Sequence, residues 1–432
     1  MYKRYITYRR PSVSKKRYQI DFLKLFERYC SDIPESKSPL SGIRVLDLTR
    51  IIAGPYCTMI LGDLGAEILK IERPNIGDES RKWGPPFFEG TKESTYFMCV
   101  NRNKKSICVD LKKGKEIIYE LAKKSDVLVE NYVPGKLAEM GLGYKDISKV
   151  APHLIYCSLT GFGSEGPYAS RPGYDVIAAS MGGLMHITGP KDGDPCKVGV
   201  AMTDLATGLY AHGAIIAALL QRLKTQKGQW IECNLMSTQV ASLINIGSNY
   251  LNAGKEATRW GSAHESIVPY EAFQTKDGYL TVGTGSDVQF LALLKKLGLS
   301  ELETNEKFKN NTERVKNREE LLTILRREFL KKSNKEWLTI LEGSPFPYGQ
   351  VNTIGQVFDD PHIKHIELIK EMDHPVVGKV KVVGPAVTYS YAENRVRLPP
   401  PMLGQHTTEV LKTLLNYSEE TLKALQADKV VQ

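Results

Sequence analysis

Residues 42–74 read GIRVLDLTRIIAGPYCTMILGDLGAEILKIERP, a short apolar run of strand type (Ile43–Thr49), a tight RIIAGP turn, a helical stretch (Pro55–Gly65) and a second strand run (Ala66–Glu72). A strand, a helix and another strand in so few residues form one β–α–β unit, which implies parallel pairing. The alternation continues downstream. Strand-like SICVDL (106–111), DVLVENY (126–132), HLIYCSLT (153–160) and QWIECNL (229–235) are separated by helical KGKEIIYELAKKS, PGKLAEMGL, YDVIAASMGGL and a long apolar stretch after residue 200. Continuously apolar strands such as DVLV and LIYC fit a sheet covered on both faces. The expected fold is therefore α/β, with a Rossmann-like parallel sheet in a large domain.

Near Gly254 the texture changes. IVPYEAFQTKDGYLTVGTG reads as a hairpin turned at Asp277–Gly278, and helices follow around Leu291–Leu297, Glu319–Lys331 and Lys335–Glu342. This pattern predicts a basic leader over residues 1–37, a large domain over 38–254, a smaller α+β domain over 262–360, and a returning segment over 361–432 that rejoins the large domain.

Most of the net charge of +9 resides in the leader. Seven of the 58 Lys and Arg residues fall in the first twenty, with no acid among them, which leaves 51 bases against 49 acids in the rest. The body is near neutral, so charge gives no reason to invoke nucleic acid. An Arg/Lys-rich, acid-free start reads as a mitochondrial transit peptide or as a basic arm, and mitochondrial localisation is the expectation. No uninterrupted apolar run reaches the ~18 residues of a membrane span, so no membrane partner is expected. The seven cysteines are scattered and never spaced C-x-x-C, which signals neither a disulfide framework nor a zinc site.

The chemistry-bearing residue is Asp204, in MTDLATGLYAHGAIIAALLQRLKT. Apolar residues recur after it at three- and four-residue steps, and no charge appears until Arg222. Asp204 thus falls in the first helical turn, where unpaired N–H groups and the helix dipole favour an acid. Such an acid is either a helix-start device or a carboxylate nucleophile kept ionised at neutral pH.

GFGSEG (Gly161–Gly166) matches G-x-G-x-x-G, but Pro167 and Pro172 bar the helix that a dinucleotide fingerprint must open, and the first βα turn carries a single glycine. No P-loop sequence occurs. Glu72–Arg73–Pro74 ends the second strand, where doubly wound folds meet an adenosine ribose, and the cation there suits a phosphorylated ribose. NRNKKS sets Arg102, Lys104 and Lys105 before the next strand. Two basic loops converging on one edge of a parallel sheet would suit a ligand with several phosphates, whereas a lone basic loop is ordinarily solvated surface.

These segments, with ENYVPGKLAEMGLGY, RPGYD, MTDLATG and the terminal PPPMLGQHT, together resemble the class III CoA-transferases, the CaiB–BaiF family, from about Gly42 to Thr408. The resemblance implies two interlocked subunits in a homodimer, Asp204 as the nucleophile, and Asp175 as a second acid beside it or a helix cap. It places CoA contacts on Ile52, Ala53, Arg73, Asn103, Lys104, Asn131 and Tyr132. MTDLATGL and RWGSAHESIVPYEAFQTKDGY most resemble the branch that moves CoA from succinyl-CoA to glutarate or a related dicarboxylate. With CoA thioester as substrate, no metal and no bound cofactor are implied. Arg259, Ser262 and His264 are then candidates to hold a distal carboxylate. Two other readings are an acyl-CoA racemase and a non-catalytic CoA-binding protein. The racemases of the family carry a histidine where this chain has Tyr174, and a tyrosine phenol ordinarily holds its proton to about pH 10. A nicotinamide oxidoreductase would have to use GFGSEG.

Overall fold

The computed structural model describes residues 37–432; the leader reading of residues 1–37 falls almost wholly outside them. Six strands form one parallel sheet: β1 (Arg44–Leu48), β2 (Glu67–Glu72), β3 (Lys104–Cys108), β4 (Val127–Glu130), β5 (Ile155–Thr160) and β6 (Trp230–Asn234). Their order is β3-β2-β1-β4-β5-β6. This is the doubly wound order, and it places a crevice where the chain reverses between β1 and β4.

Helices of seven residues or more are α1 (Ala53–Asp63), α2 (Lys115–Lys123), α3 (Tyr144–Val150), α4 (Asp175–Met181), α5 (Met202–Thr225), α6 (Leu235–Ala241), α7 (Ile244–Ala253), α8 (Asp287–Leu297), α9 (Arg318–Phe329), α10 (Asn334–Leu341), α11 (Thr407–Leu415) and α12 (Glu419–Ala427). Strand alternation divides the core between the two faces of the sheet. Leu46, Leu48, Leu69, Ile71 and Ile107 face α2, α3, α11 and α12. Val45, Ile68, Val127 and Val129 face α1 and the inner side of α5 through Ala211, Ile215, Ala218 and Leu219. Each such aliphatic side chain contributes roughly 1.5–3 kcal/mol by leaving water.

The smaller antiparallel sheet, β7 (Tyr270–Gln274), β8 (Tyr279–Gly283) and β9 (Tyr348–Gln350), packs with α8, α9 and α10 around Phe273, Phe290, Phe329 and Trp337. A separate ribbon, β10 (Ile369–His374) with β11 (Gly378–Val383), closes over Phe97 and Met98 through Val380 and Val382.

Several sequence expectations shift. The stretch STQVASLINIGSNYLNAG (237–254), which reads as one helix, is divided between α6 and α7, broken at Ser242–Leu243, with Ile244 at φ 44°. β3 starts at Lys104, two residues ahead of its apolar core. α5, with 24 residues and a mean hydropathy of 1.3 over its most apolar window, is long and apolar enough to cross a membrane, although the sequence showed no such run. Here it lies against α1 and the sheet.

One glycine sets the site. A Cβ on Gly208 would lie 2.7 Å from the Ala53 carbonyl oxygen, so its absence lets α5 approach the start of α1. Asp204, one turn earlier on the same face of α5, is thereby brought to the crevice.

Candidate active site

A cleft of about 170 Å³ opens at the switch point, lined by the turn after β1 (Arg50–Ala53), the loop after β4 (Asn131–Pro134), the end of β5 and the loop beyond it (Leu159–Gly161, Arg171–Tyr174), and Asp204. The two crevice loops are tied to each other. Asn131 accepts from the Arg50 N–H at 2.9 Å and donates to the Arg50 carbonyl at 2.7 Å. Ile51 between them takes the left-handed region (φ 73°), costly for a β-branched residue, and its N–H is held by the buried Asp78 carboxylate at 3.1 Å.

Beneath this turn lies a buried ionic network. Lys70 donates to the Thr49 carbonyl and to Asp78, and Asp47 accepts from the Thr49 N–H, Thr58 and Lys104. Burial alone would push the Asp47 and Asp78 carboxyls up; neighbouring lysines outweigh it and hold both below the usual range.

α1 has no side-chain cap, and its first residue, Ala53, lines the cleft. An uncapped helix start of this kind suits an oxyanion or carboxylate. α5 is capped from outside: Asp175, at the start of α4, accepts from the Thr203 N–H at 2.8 Å and the Asp204 N–H at 3.2 Å. Asp175 therefore does not cap its own helix α4, the cap role expected for it; it lies inside the first turn of α4 and caps α5 instead. Asp204 departs from expectation as well. Burial first, and then the charge of Asp175, raises its carboxyl to about 7, so the helix start does not keep it fully ionised at neutral pH.

A second cleft of about 360 Å³ adjoins the first, the two sharing Arg50 and Tyr132. Arg50 stacks 4.5 Å above the Tyr132 ring and pairs with Glu79 at 2.5 Å. The exposed cations Arg73 and Lys112 line this second cleft, and neither side chain has a polar partner among the described residues. The two clefts thus meet at a shared wall, with Arg73 and Lys112 lining one and Asp204 the other.

Ile52, Ala53, Asn131 and Tyr132 thus gather around Asp204, with Arg73 in the adjoining cleft. Asn103 and Lys104 do not. Lys104 is fully buried, its ammonium donating to Asp47, the Pro55 carbonyl and Asn101. The Asn103 amide donates to Asp63 and the Arg395 carbonyl, and its oxygen accepts from the Arg397 and Leu398 N–H groups. Arg102 is likewise sunk onto Asp63. The NRNKKS segment is therefore internal scaffold, not a solvated loop whose side chains reach a phosphate.

Arg259, Ser262 and His264 also lie outside the cleft within this chain. Arg259 donates to the Gly193 and His186 carbonyls, Ser262 accepts from the Ala272 N–H, and His264 accepts from the Ser266 N–H. GFGSEG opens no helix; Glu232 at β6 pins it by accepting from Ser164. Two residues escaped the sequence reading. Tyr96 lies close enough to Asp204 and Asp175 for both charges to raise its phenol, after burial and Cys99, and Trp83 packs edge-on against it at 5.0 Å. Their aromatic signal was lost in a loop without periodicity.

The family model for CoA-transferase family III matches residues 40–407. The chain belongs to CoA-transferase family III. It is 57% identical over 395 residues to the human protein named succinyl-CoA:glutarate CoA-transferase, covering 91% of this chain and 90% of that one. With the mouse protein of the same name it shares 56% over 400 residues, covering 92% and 91%. Among solved structures, a CAIB/BAIF family protein from Brucella suis superposes with a TM-score of 0.80 at 39% identity, covering 87% of this chain and 99% of that one. This CoA-transferase therefore shares both sequence and fold with its family over most of its length.

Proposed function

We propose that this CoA-transferase moves CoA from succinyl-CoA to glutarate or a related dicarboxylate through Asp204. The observation that carries the reading is the joined pair of clefts: free cations Arg73 and Lys112 at one end for the nucleotide phosphates, and a carboxylate at the other for the thioester. The names of the mammalian relatives support the substrate pair.

In this mechanism the Asp204 carboxylate attacks the succinyl carbonyl, and the carbon–sulfur bond breaks to give a mixed anhydride and CoA thiolate. The thiolate attacks the aspartyl carbonyl, releasing succinate and leaving an aspartyl-CoA thioester. The acceptor carboxylate attacks that thioester, and the released thiolate takes the new acyl group, restoring Asp204. Acyl-transfer potential is kept at each step, so the chemistry needs no ATP, metal or bound cofactor. Asp204 must be ionised to attack, and Tyr174, exposed at the cleft rim, offers no base for racemisation.

The test is to supply succinyl-CoA and glutarate and follow glutaryl-CoA. Glutaryl-CoA formation that is lost in Asp204→Asn supports the reading; succinyl-CoA left intact, or only hydrolysed, contradicts it.

The enzyme is further proposed to act in the mitochondrial matrix as an interlocked homodimer. The acid-free basic start supports the first point. Apolar side chains on the outer side of α5 and α7 support the second, with Ile244 77% and Leu251 83% exposed. Import of a fusion carrying residues 1–37, and the mass of the protein in solution, test these two points.

A further inference from the structure

Two cations line the cleft that holds Asp204: Arg50 and Arg171. Arg50 is neutralised by Glu79. Among the described residues Arg171 has no carboxylate or carbonyl partner for its guanidinium, which lies 4.2 Å from the centre of the Tyr168 ring. Asp175, whose charge reaches Asp204, turns its Oδ1 to the Thr203 and Asp204 N–H groups and forms no ion pair with Arg171.

The placement of Arg171 is built into the backbone. Its N–H closes a turn onto the Tyr168 carbonyl at 2.9 Å. Gly161 and Gly173 pass so close that a Cβ on either would fall 2.6 or 2.4 Å from the other's Cα, so the loop returns tightly onto the end of β5 and carries Arg171 to the cleft wall. Contact with the Tyr168 ring leaves the N–H fork of Arg171 without a protein acceptor among the described residues, an arrangement suited to a carboxylate. Arg171 and Asp204 line the same cleft of about 170 Å³.

We infer that Arg171 is the residue that selects dicarboxylic acyl groups, by pairing with the carboxylate at the far end of the chain whose thioester carbonyl meets Asp204. The inference rests on the reading of the site as one acylated by a dicarboxyl-CoA. It replaces the role considered for Arg259, whose donors already serve two carbonyls.

The experiment compares the wild-type enzyme with Arg171→Gln and Arg171→Lys in the first half-reaction, CoA release with hydroxylamine as the trap, using succinyl-CoA and its uncharged analogue butyryl-CoA. Competitive inhibition by free succinate and butyrate is measured alongside. Arg171→Gln is expected to lose 10- to 100-fold in kcat/KM for succinyl-CoA and a similar factor in succinate inhibition, with butyryl-CoA and butyrate changing less than about threefold; at about 1.4 kcal/mol per decade this is the loss of one charge-assisted pair. Arg171→Lys, which keeps the charge and loses the fork, should fall between. Equal losses for both acyl groups, or none for succinyl-CoA in an enzyme whose wild type is acylated normally, overturn the assignment of Arg171 alone. A wild type that releases no CoA from succinyl-CoA overturns the underlying reading, and this inference with it.

Discussion

Replacing the proposed nucleophile with its amide should stabilise the protein at alkaline pH. The Asp204 carboxyl is raised from 3.8 to about 7 in the folded chain, by burial first and by Asp175 second. For an acid with a raised folded pKa, the folded state keeps its proton between about pH 4 and 7 while the unfolded state has lost it. Stability therefore falls as pH rises through that window, and above about 7 the fold carries a carboxylate in a place that disfavours it. A gap of about three units at 1.36 kcal/mol each sets an upper bound of ~4 kcal/mol. The side chain is only half-buried on a cleft open to water, and screening there brings the realised figure to about 1–2 kcal/mol. Asp204→Asn removes the charge and keeps the shape. Urea unfolding midpoints of both proteins at pH 5 and pH 8.5, compared at constant slope, give the difference. The variant should lead by about 1–2 kcal/mol at pH 8.5, and the lead should shrink to roughly a third of that at pH 5, on its way to zero below about pH 4. A variant less stable at both values, or a lead independent of pH, would refute the reasoning.

Three further outcomes follow from the same geometry. Asp175→Asn removes the second cause of the raised Asp204 pKa, so the acid limb of the acylation rate should move to lower pH; Asp175→Ala should also cost roughly 1 kcal/mol in stability through loss of the cap on α5. A pH profile that stays put or moves to higher pH would contradict the electrostatic role. Asp78→Asn keeps one acceptor oxygen for the Ile51 N–H but sets an amide NH2 and no charge against the buried Lys70, so unfolding should ease by about 3 kcal/mol; pairing it with Lys70→Met should recover part of the stability, which the unfolding midpoints would show. Arg73→Ala and Lys112→Ala should each raise KM for succinyl-CoA with little change in kcat, and each should flatten the rise of KM with added salt. An unchanged salt dependence would remove the phosphates from that cleft.

The β–α–β opening, the parallel sheet and the place of Asp204 at a helix start were legible because each is written in a local period or in the absence of charge along one helix. Which way side chains point within a buried layer was not. Lys104 and Arg102 look like solvent residues in any linear reading, yet Asp47 and Asp63 wait for them inside, on partners some 40–60 residues away in sequence. Asp175 could be seen as a cap, but only the packing of α4 against α5 shows whose N–H groups it takes. Arg171 sat unremarked within the RPGYD segment. Its importance depends on the Gly161–Gly173 crossing, which no periodicity announces.

The most direct test of the account is to incubate the protein with succinyl-CoA and no acceptor, trap with hydroxylamine or borohydride, and map the modified peptide by mass spectrometry. A label on Asp204, absent in Asp204→Asn, is the predicted result. An unmodified Asp204 in protein that still binds CoA would contradict the covalent mechanism.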